Sequence, residues 1–451
     1  MSEIKPGDRL LLEIESLNHA GEGVARRQGR VIFVPRAVPG DRVRAAVTEV
    51  KKNYLRAGLE EVLAAGPART AARCPAFERC GGCHIQHLDY ESQLRYKTGL
   101  VRDSLERIGG LKDIEVLPML GMGNPWHYRN KVRLHVERRE DGVVLGFFAP
   151  GSHLLGSDFG EGFICYLVDE ELNRLARAVR AWLNEYRECP GGGDVREITL
   201  RRAAGTGETM VVLTTAGECP AALYNRVGEL AAAGVTAVVR QSIGRGGVSE
   251  GKTEVLCGPG FLTDRLDDLY FRLSAASFYQ VNPVQTGVLY RKVLECAALS
   301  GGELVMDAYC GVGTIALYLA RRAGSVLGLE LFPAAVADAA ANARLNRINN
   351  AAFMQGAVEE VLPRLFERGR RPDVVVLDPP RRGCHRRVLQ ALAARPVKRV
   401  IYVSCDPGTL ARDLGFLAGH GYRPVRVQPV DMFPQTRHVE CVVLMQNVKN
   451  K

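Results

Sequence analysis

Long apolar runs, low-complexity tracts and an apolar leader are all missing from this chain of 451 residues. A helix that crosses a membrane needs about 20 consecutive apolar residues, and no uninterrupted run approaches that length. The first ten residues are charged, unlike those of a secretory signal. These absences predict a cytoplasmic protein with no membrane association.

The composition indicates several globular domains and a polyanionic partner. Hydrophobic residues make up 46% of the chain, and its length predicts roughly two to four domains. The net charge of +10 favours a partner such as nucleic acid. Twelve cysteines without a secretion signal argue for metal ligation or catalysis rather than for a disulfide framework.

Residues 1–62 alternate short apolar runs with turn signals, which predicts a small antiparallel β-barrel of the kind that often holds RNA. The segment resembles the TRAM domain, an RNA-binding barrel found on some RNA-modifying enzymes. Eight basic residues are candidates for a phosphate-facing side: Arg26, Arg27, Arg30, Arg36, Arg42, Arg44, Lys51 and Lys52. An ordinary solvated surface is the alternative, because acidic residues are nearly as numerous here.

Three closely spaced cysteines, Cys74, Cys80 and Cys83, form a loop that needs one more ligand to hold a metal or a cluster. A structural zinc is one alternative, with His84 or His87 as the fourth ligand. The other is a four-iron cluster that a distant cysteine completes. Spacing does not choose among the candidates for that cysteine, which are Cys165, Cys189, Cys219 and Cys257.

The middle of the chain mixes helical and strand patterns. Residues 89–109 have a helical apolar stripe that ends at a glycine pair. Residues 117–260 alternate strands with helices near 169–186 and 220–233, which predicts an α+β domain. Within it, residues 126–131 mix aromatic and basic groups that suit stacking on bases, although a half-exposed strand edge fits as well.

The last third of the chain repeats strand, turn and helix, and each strand runs into a candidate ligand group. A strand over residues 303–309 enters a turn that contains Gly311 and Gly313. The next strand ends at Glu330, about 20 residues on, where a carboxylate can bind ribose hydroxyls. Strands at 374–377 and 400–403 run into Asp378 and the loop of Cys405. This pattern predicts a doubly wound parallel sheet.

Cys405 lies in a loop just past a strand, before a helix for which Thr409 is a candidate cap. A thiol near a helix amino terminus can have a lowered pKa and act as a nucleophile. The alternative is a small buried core cysteine.

The strand, the glycine turn and the helix that follows predict a pocket for an anionic or nucleotide-like ligand. Ala316 occupies the place of the third glycine of a dinucleotide fingerprint, which some dinucleotide folds tolerate. Asp307 before the glycines, Glu330 and the acid-Pro-Pro sequence at Asp378 together resemble class I S-adenosylmethionine methyltransferases. Amine-methylating members commonly place an aromatic residue after the two prolines. Arg381 stands there instead, which points to a carbon acceptor.

Five motifs make the resemblance specific: FYQVN at 278–282, DAYCGVG at 307–313, DPPR at 378–381, SCDP at 404–407 and HVE at 438–440. They resemble the RNA uracil-5-methyltransferase family, and the TRAM-like segment and cysteine loop are most similar to its 23S ribosomal RNA branch. The resemblance implies Cys405 as the nucleophile and Glu440 as the base. It also implies four contacts to S-adenosylmethionine, made by Gln280, Tyr309, Glu330 and Asp378.

The same resemblance implies a 4Fe-4S cluster held by Cys74, Cys80, Cys83 and Cys165. It also implies that the helix over residues 89–109 packs on the catalytic domain, and it implies no protein partner. Thr314 departs from the family, because some members carry asparagine there.

The expected architecture is multidomain: an N-terminal TRAM/OB-like β-barrel, a central α+β domain and a C-terminal α/β Rossmann-like methyltransferase domain. The expected segments are 1–62 for the barrel, 63–88 for the cysteine loop, 89–116 for the helix, 117–260 for the RNA-binding central domain and 261–451 for catalysis.

Four alternatives stay open. The substrate of the same reaction can be tRNA, or the chain can be a non-catalytic iron-sulphur RNA-binding protein. A radical enzyme that uses S-adenosylmethionine is disfavoured, because its cysteines usually have the spacing C-x3-C-x2-C and these have C-x5-C-x2-C. A nicotinamide dehydrogenase predicts absorbance changes that we do not expect.

Overall fold

The computed structural model describes residues 4–185, 194–216, 221–244 and 251–448. The N-terminal part is a six-stranded sheet with the strand order β1-β5-β6-β4-β3-β2. The strands are β1 (Arg9–Glu13), β2 (Ser16–Leu17), β3 (Gly23–Arg27), β4 (Arg30–Val34), β5 (Arg42–Val50) and β6 (Tyr54–Ala64). The predicted barrel-like β-domain is confirmed, but β4 pairs with β6 in parallel, whereas a wholly antiparallel arrangement was expected.

Carboxylates of this same β-domain partly neutralise its candidate phosphate-facing side. Arg26 is paired with Glu15, Arg44 with Glu61 and Lys51 with Glu49. The guanidinium groups of Arg30 and Arg36 donate to backbone carbonyls. Three of the eight candidate basic residues are therefore compensated by carboxylates of the same domain.

Helix α1 (Tyr90–Arg107) follows the cysteine loop, and the Asp89 side chain caps it by accepting a hydrogen bond from the Ser92 N–H at 2.9 Å. Val101 and Leu105 are fully buried in one hydrophobic cluster with residues of the C-terminal domain. Ile108 does not continue the buried stripe, because the helix ends before it and its side chain is 58% exposed.

The central domain is a second six-stranded sheet, with the strand order β12-β11-β10-β9-β7-β8 and two helices against it. Its strands are β7 (Lys131–Arg139), β8 (Gly142–Gly146), β9 (Asp194–Arg202), β10 (Thr209–Ala216), β11 (Ala237–Ser242) and β12 (Thr253–Cys257). Its helices are α2 (Glu170–Glu185) and α3 (Ala221–Ala232). The expected α+β mixture is present; residues 186 and 220, at the ends of the two predicted helices, lie outside the described residues.

The stretch at residues 126–131 does not form an open base-stacking surface. Tyr128 and Asn130 are buried, and the Tyr128 hydroxyl donates to the carbonyl of Pro434 at 3.0 Å. Trp126 packs against the guanidinium of Arg73. The side chains of this stretch thus contact neighbouring segments, at Pro434 and Arg73, instead of pointing into solvent. The stretch therefore connects domains.

The C-terminal domain opens with a hairpin, β13 (Phe261–Leu266) and β14 (Leu269–Ser274), and helix α4 (Pro283–Ala297). A seven-stranded sheet follows in the order β17-β16-β15-β18-β19-β21-β20. Its strands are β15 (Leu304–Ala308), β16 (Ser325–Glu330), β17 (Ala351–Gln355), β18 (Val374–Leu377), β19 (Arg399–Ser404), β20 (Tyr422–Val430) and β21 (Glu440–Asn447). Its helices are α5 (Thr314–Ala320), α6 (Pro333–Leu345), α7 (Val358–Glu367), α8 (Arg386–Ala394) and α9 (Pro407–Ala418).

Strands β15 to β19 run parallel, and β21 lies antiparallel between β19 and β20. All of β18 is buried, since apolar side chains pack on both faces of the sheet. From β15 the chain adds β16 and β17 on one side, and it then adds β18 and β19 on the other side. The strand order therefore switches between β15 and β18, and the carboxyl ends of these two parallel strands border a crevice.

Two further observations complete the fold. Helix α9 is capped by Asp406, whose carboxylate accepts a hydrogen bond from the Thr409 N–H at 2.8 Å, so Thr409 itself is not the cap that was expected. Among the described residues, no helix combines the length and the apolar character that crossing a membrane requires.

Candidate active site

A pocket lies at the carboxyl ends of β15 and β18. Three of the four residues expected to contact the cofactor line it, namely Gln280, Tyr309 and Asp378. The other lining residues are Phe278, Tyr279, Tyr290, Asp307, Cys310, Gly311, Val312, Thr314 and Ile315. The FYQVN segment, the glycine turn and the DPPR segment are therefore brought together at one site.

The fourth expected residue, Glu330, supports the glycine turn from the next strand. Its carboxylate accepts hydrogen bonds from the N–H of Gly311 at 3.0 Å and from the N–H of Phe332 at 2.9 Å. Gly311 has a φ of +54°, a conformation in which a glycine avoids the strain of a side chain. Glu330 thus holds the turn while its end of β16 adjoins the pocket.

Asp307 is a buried carboxylate beneath this turn. Within the described part of the chain, neither of its oxygens has a hydrogen-bond partner. Burial and the nearby Asp378 raise its pKa well above the ordinary value. A buried carboxylate without a donor is costly, so this side chain is suited to a ligand that brings hydrogen-bond donors or positive charge.

Thr314, where some members of the family carry asparagine, lies in the pocket wall. Its hydroxyl is 2.9 Å from the hydroxyl of Tyr290, and both side chains are buried. The contact ties helix α4 to helix α5.

Cys405 and Glu440 come together through the pairing of β19 with β21. The antiparallel register of β19 and β21 ends at Ser404 and Cys441, so the next residues, Cys405 and Glu440, lie at the same end of the two strands, close enough for the Glu440 charge to act on the thiol. Cys405 is half-buried and Glu440 is only 2% exposed. The expected nucleophile and base, far apart in sequence, are thus neighbours at the edge of the crevice.

The pKa of Cys405 is not lowered, contrary to the expectation from its place before a helix. Burial raises it to about 12, and the carboxylates of Glu440 and Asp378 add to that effect. Arg381 acts in the opposite direction but is outweighed. The helix terminus is a short-range influence, whereas the two carboxylates approach from other strands.

The two carboxyl groups are themselves perturbed. Burial raises the pKa of Asp378 to about 7, and burial together with Asp378 raises the pKa of Glu440 well above its ordinary value. Arg381 opposes the rise at Glu440; its exposed guanidinium lies 3.5 Å from the His438 ring. Cys405, Asp378 and Glu440 are therefore three acidic groups that lie close together with few positive charges to compensate them.

A second pocket gathers the cysteines of the loop. Cys74, Cys80, Cys83 and Cys165 all line it, and it encloses about 390 Å³ of space free of protein atoms, part of it open to solvent. Of the other candidates for the fourth ligand, Cys257 does not line it, and Cys189 and Cys219 lie outside the described residues.

The two histidines considered for a zinc site, His84 and His87, do not line this pocket. Across the described ranges, no three His, Cys, Asp or Glu side chains are arranged to hold a single metal ion. Burial raises the pKa of the Cys83 thiol to about 12 and that of Cys165 to about 11. The arrangement is thus four separated thiols around a common space.

Sequence reasoning missed two polar residues of the cysteine pocket. Gln86 is buried and donates to the Cys83 sulphur at 3.1 Å, and its carbonyl accepts from the Cys74 N–H at 3.2 Å. Arg129 lines the pocket, and its positive charge favours the thiolates of Cys83 and Cys165 by lowering their pKa values. The only local signal was an arginine within the aromatic and basic stretch.

Comparisons with known proteins show which family the chain resembles. The family model described as tRNA (Uracil-5-)-methyltransferase matches residues 261–448, and the TRAM domain matches residues 4–59. A protein named an uncharacterized RNA methyltransferase from Halalkalibacterium halodurans is 43% identical over 98% of both chains. One of the same description from Bacillus cereus is 43% identical over 96% of both.

Among solved structures, the chain is similar to the Pyrococcus abyssi tRNA (uracil-54, C5)-methyltransferase in complex with S-adenosyl-L-homocysteine. The TM-score is 0.75 at 28% identity, and the match covers 97% of this chain and 100% of the other.

Proposed function

This chain belongs to the S-adenosylmethionine-dependent RNA uracil-5-methyltransferase family, and from that premise we propose that it methylates carbon 5 of a uridine in 23S ribosomal RNA. The observation that carries the proposal is that the thiol of Cys405 lies within the electrostatic influence of Glu440 and of Asp378, which itself lines the pocket. A thiol and a base at one crevice are the groups that this reaction requires.

Carbon 5 of uracil is too weak a nucleophile to accept a methyl group unaided. We propose that Cys405 loses its proton to a neighbouring carboxylate and that its sulphur bonds to carbon 6, which makes carbon 5 nucleophilic. Asp378 suits that proton transfer, because its raised pKa makes it a stronger base than an ordinary carboxylate, and this leaves Glu440 free to take the later proton. Bound S-adenosylmethionine supplies the methyl group and a positively charged sulphur.

The adduct is resolved by Glu440. Its carboxylate removes the proton from carbon 5, the electron pair of that bond forms the carbon 5–carbon 6 double bond, and the carbon 6–sulphur bond breaks to return a Cys405 thiolate. A uracil inside a helix cannot reach both groups, so the target nucleotide must leave its stack. The nearby exposed Arg381 is placed to contact the backbone of such a nucleotide.

Gln280, Tyr309, Glu330 and Asp378 are proposed to bind the cofactor. Three of them line the pocket, and Glu330 adjoins it, with oxygens that can exchange a backbone contact for ribose hydroxyls. The unpaired Asp307 supports the same assignment, since a cationic ligand compensates a buried carboxylate.

We further propose a 4Fe-4S cluster on Cys74, Cys80, Cys83 and Cys165. The support is that the four thiols line one pocket, whereas the two histidines considered for zinc do not line it. Arg129 provides a buried positive charge for an anionic cluster. Anaerobically purified protein should be brown and contain iron and sulphide, and a Cys165→Ser variant should lose that absorbance. Colourless protein with stoichiometric zinc would contradict the proposal.

The covalent step is tested with RNA that carries 5-fluorouridine, in which fluorine replaces the proton that the base must remove. Wild type should form an adduct that survives denaturation, and Cys405→Ala should form none. Cys296→Ala is the matched control, a half-buried cysteine on helix α4 that does not line the pocket, and it should trap RNA like wild type. Failure of active wild type to form any adduct would refute the mechanism.

The substrate is tested separately. The N-terminal TRAM domain and the cysteine loop support 23S ribosomal RNA, whereas the likeness to the Pyrococcus abyssi enzyme supports tRNA as a second candidate. Tritiated methyl transfer to unmodified 23S fragments and tRNA in parallel, with mapping of the labelled nucleotide, separates them. Label confined to 23S fragments is expected, and label confined to tRNA would favour the second candidate.

A further inference from the structure

The segment over residues 431–438 connects β20 to β21 and leads directly to Glu440. It contains no helix or strand, yet each of its first five backbone carbonyls accepts a hydrogen bond from another part of the chain. The donors are the Gln285 amide to Asp431, the Asn282 amide to Met432, the Lys97 ammonium to Phe433, the Tyr128 hydroxyl to Pro434, and the N–H groups of His84 and Ile85 to Gln435.

Helix α1 supplies the side-chain contacts to this segment. Gln93 and Gln435 form a reciprocal pair: the Gln93 amide donates to the Gln435 side chain at 2.8 Å, and the Gln435 N–H donates to Gln93 at 3.0 Å. Lys97 forms a fully buried ion pair with Asp431 at 2.5 Å, and the Tyr90 hydroxyl donates to the same carboxylate at 2.9 Å. We call Tyr90, Gln93 and Lys97 the α1 clasp.

The clasp holds a backbone that would not keep this shape by itself. Gln435 has a φ of +68°, a left-handed conformation that costs a residue with a side chain roughly 1 kcal/mol or more. Such conformations persist where the surroundings fix them. Because residues 431–438 have no ladder of strand hydrogen bonds, these contacts set the path by which the chain enters β21.

We propose that the α1 clasp consists of positioning residues for Glu440, which govern release of the covalent adduct rather than its formation. The inference rests on the proposed function. Cys405 lies between β19 and the Asp406 cap of helix α9, and α9 meets the chain at Gly109, beyond the opposite end of α1 from the clasp. Loosening residues 431–438 should therefore move the base more than the nucleophile. A small misplacement of a reacting group can cost about 100-fold in rate.

The experiment is a single turnover in which adduct formation and adduct decay are followed on denaturing gels. Its substrate is the RNA fragment that accepts tritiated methyl groups from the wild type. Gln93→Leu should form the adduct within about threefold of the wild-type rate but release it roughly 10- to 100-fold more slowly, so the adduct accumulates. Arg95→Leu is the matched control, because Arg95 lies on the exposed face of the same helix and pairs with Glu91. It should behave like wild type.

Two further variants separate positioning from a general structural effect. Tyr90→Phe removes one hydroxyl with little change of shape and should slow release by a smaller factor, which keeps the test valid if Gln93→Leu does not fold. Gln93→Leu combined with Glu440→Gln should release no more slowly than Glu440→Gln alone, because the clasp acts through that carboxylate.

Three results would overturn the inference: normal release by folded clasp variants, equal slowing of formation and release, or additive slowing in the double variant. Trapping by 5-fluorouridine RNA distinguishes its failure from that of the proposed function. Wild type that forms no trapped adduct removes the proposed function. If wild type and the clasp variants all trap the RNA and turn over normally, only the inference about the clasp fails.

Discussion

Replacement of Glu330 by glutamine should weaken cofactor binding while leaving the fold intact. The carboxylate accepts two backbone hydrogen bonds, from Gly311 at 3.0 Å and Phe332 at 2.9 Å, at the turn that lines the pocket. Glutamine keeps one acceptor oxygen and turns an N–H group toward the other donor. In the proposed complex the carboxylate accepts from a ribose hydroxyl, and a hydrogen bond to a charged group contributes about 1.5–3 kcal/mol, which corresponds to roughly 10- to 100-fold in affinity.

Calorimetric titration with S-adenosylhomocysteine measures this change directly. Glu303→Gln is the matched control, because the Glu303 carboxylate also accepts backbone hydrogen bonds, from Ser300 and Gly301 at 3.0 Å, at the opposite end of β15. It should bind within about twofold of wild type. Unchanged affinity in a folded Glu330→Gln variant would refute the role of this carboxylate, and equal losses in both variants would show a general effect on the domain.

Two further changes test the buried charges. Asp378 has a pKa of about 7 in the folded chain, above its unfolded value of 3.8, so ionisation penalises the fold increasingly between about pH 4 and pH 7. Asp378→Asn should therefore raise the melting temperature more at pH 8 than at pH 4, and an equal shift at both would contradict the assignment. Lys97→Met should destabilise the protein by about 3–5 kcal/mol, because it leaves the buried Asp431 carboxylate without its cation, beside the neutral Tyr90 hydroxyl, whereas Lys97→Met with Asp431→Leu should recover most of that loss in urea unfolding. A double variant as unstable as the single one would contradict the ion-pair argument.

The sheet of the catalytic domain was readable from the sequence because its strands are buried on both faces. Residues 374–377 form a continuous apolar run, and the observed strand has the same bounds. The cap of helix α9 was assigned to the wrong residue even though Asp406 precedes a proline, the usual first residue of a helix. The sequence therefore does contain a local signal for Asp406 as the cap, which is the proline that follows it.

Long-range contacts were the part that the sequence could not predict. Lys97 and Asp431 lie 334 positions apart, and nothing near either residue indicates a buried pair. The aromatic and basic stretch at residues 126–131 was ambiguous for the same reason: Tyr128 finds its partner at Pro434, in another domain. Composition alone does not distinguish a surface that binds RNA from a seam between domains.

The electrostatics of the site imply an order of events. Burial and the carboxylates of Glu440 and Asp378 hold the pKa of Cys405 near 12, so at neutral pH the proposed nucleophile is a thiol. Asp307, Asp378 and Glu440 all have raised pKa values, because each is buried and the nearby charge is predominantly negative. A cationic ligand in the pocket favours every anionic form there, the thiolate included. The nucleophile should therefore become reactive only after the pocket beside it is filled, which protects the thiol from oxidation and alkylation between turnovers.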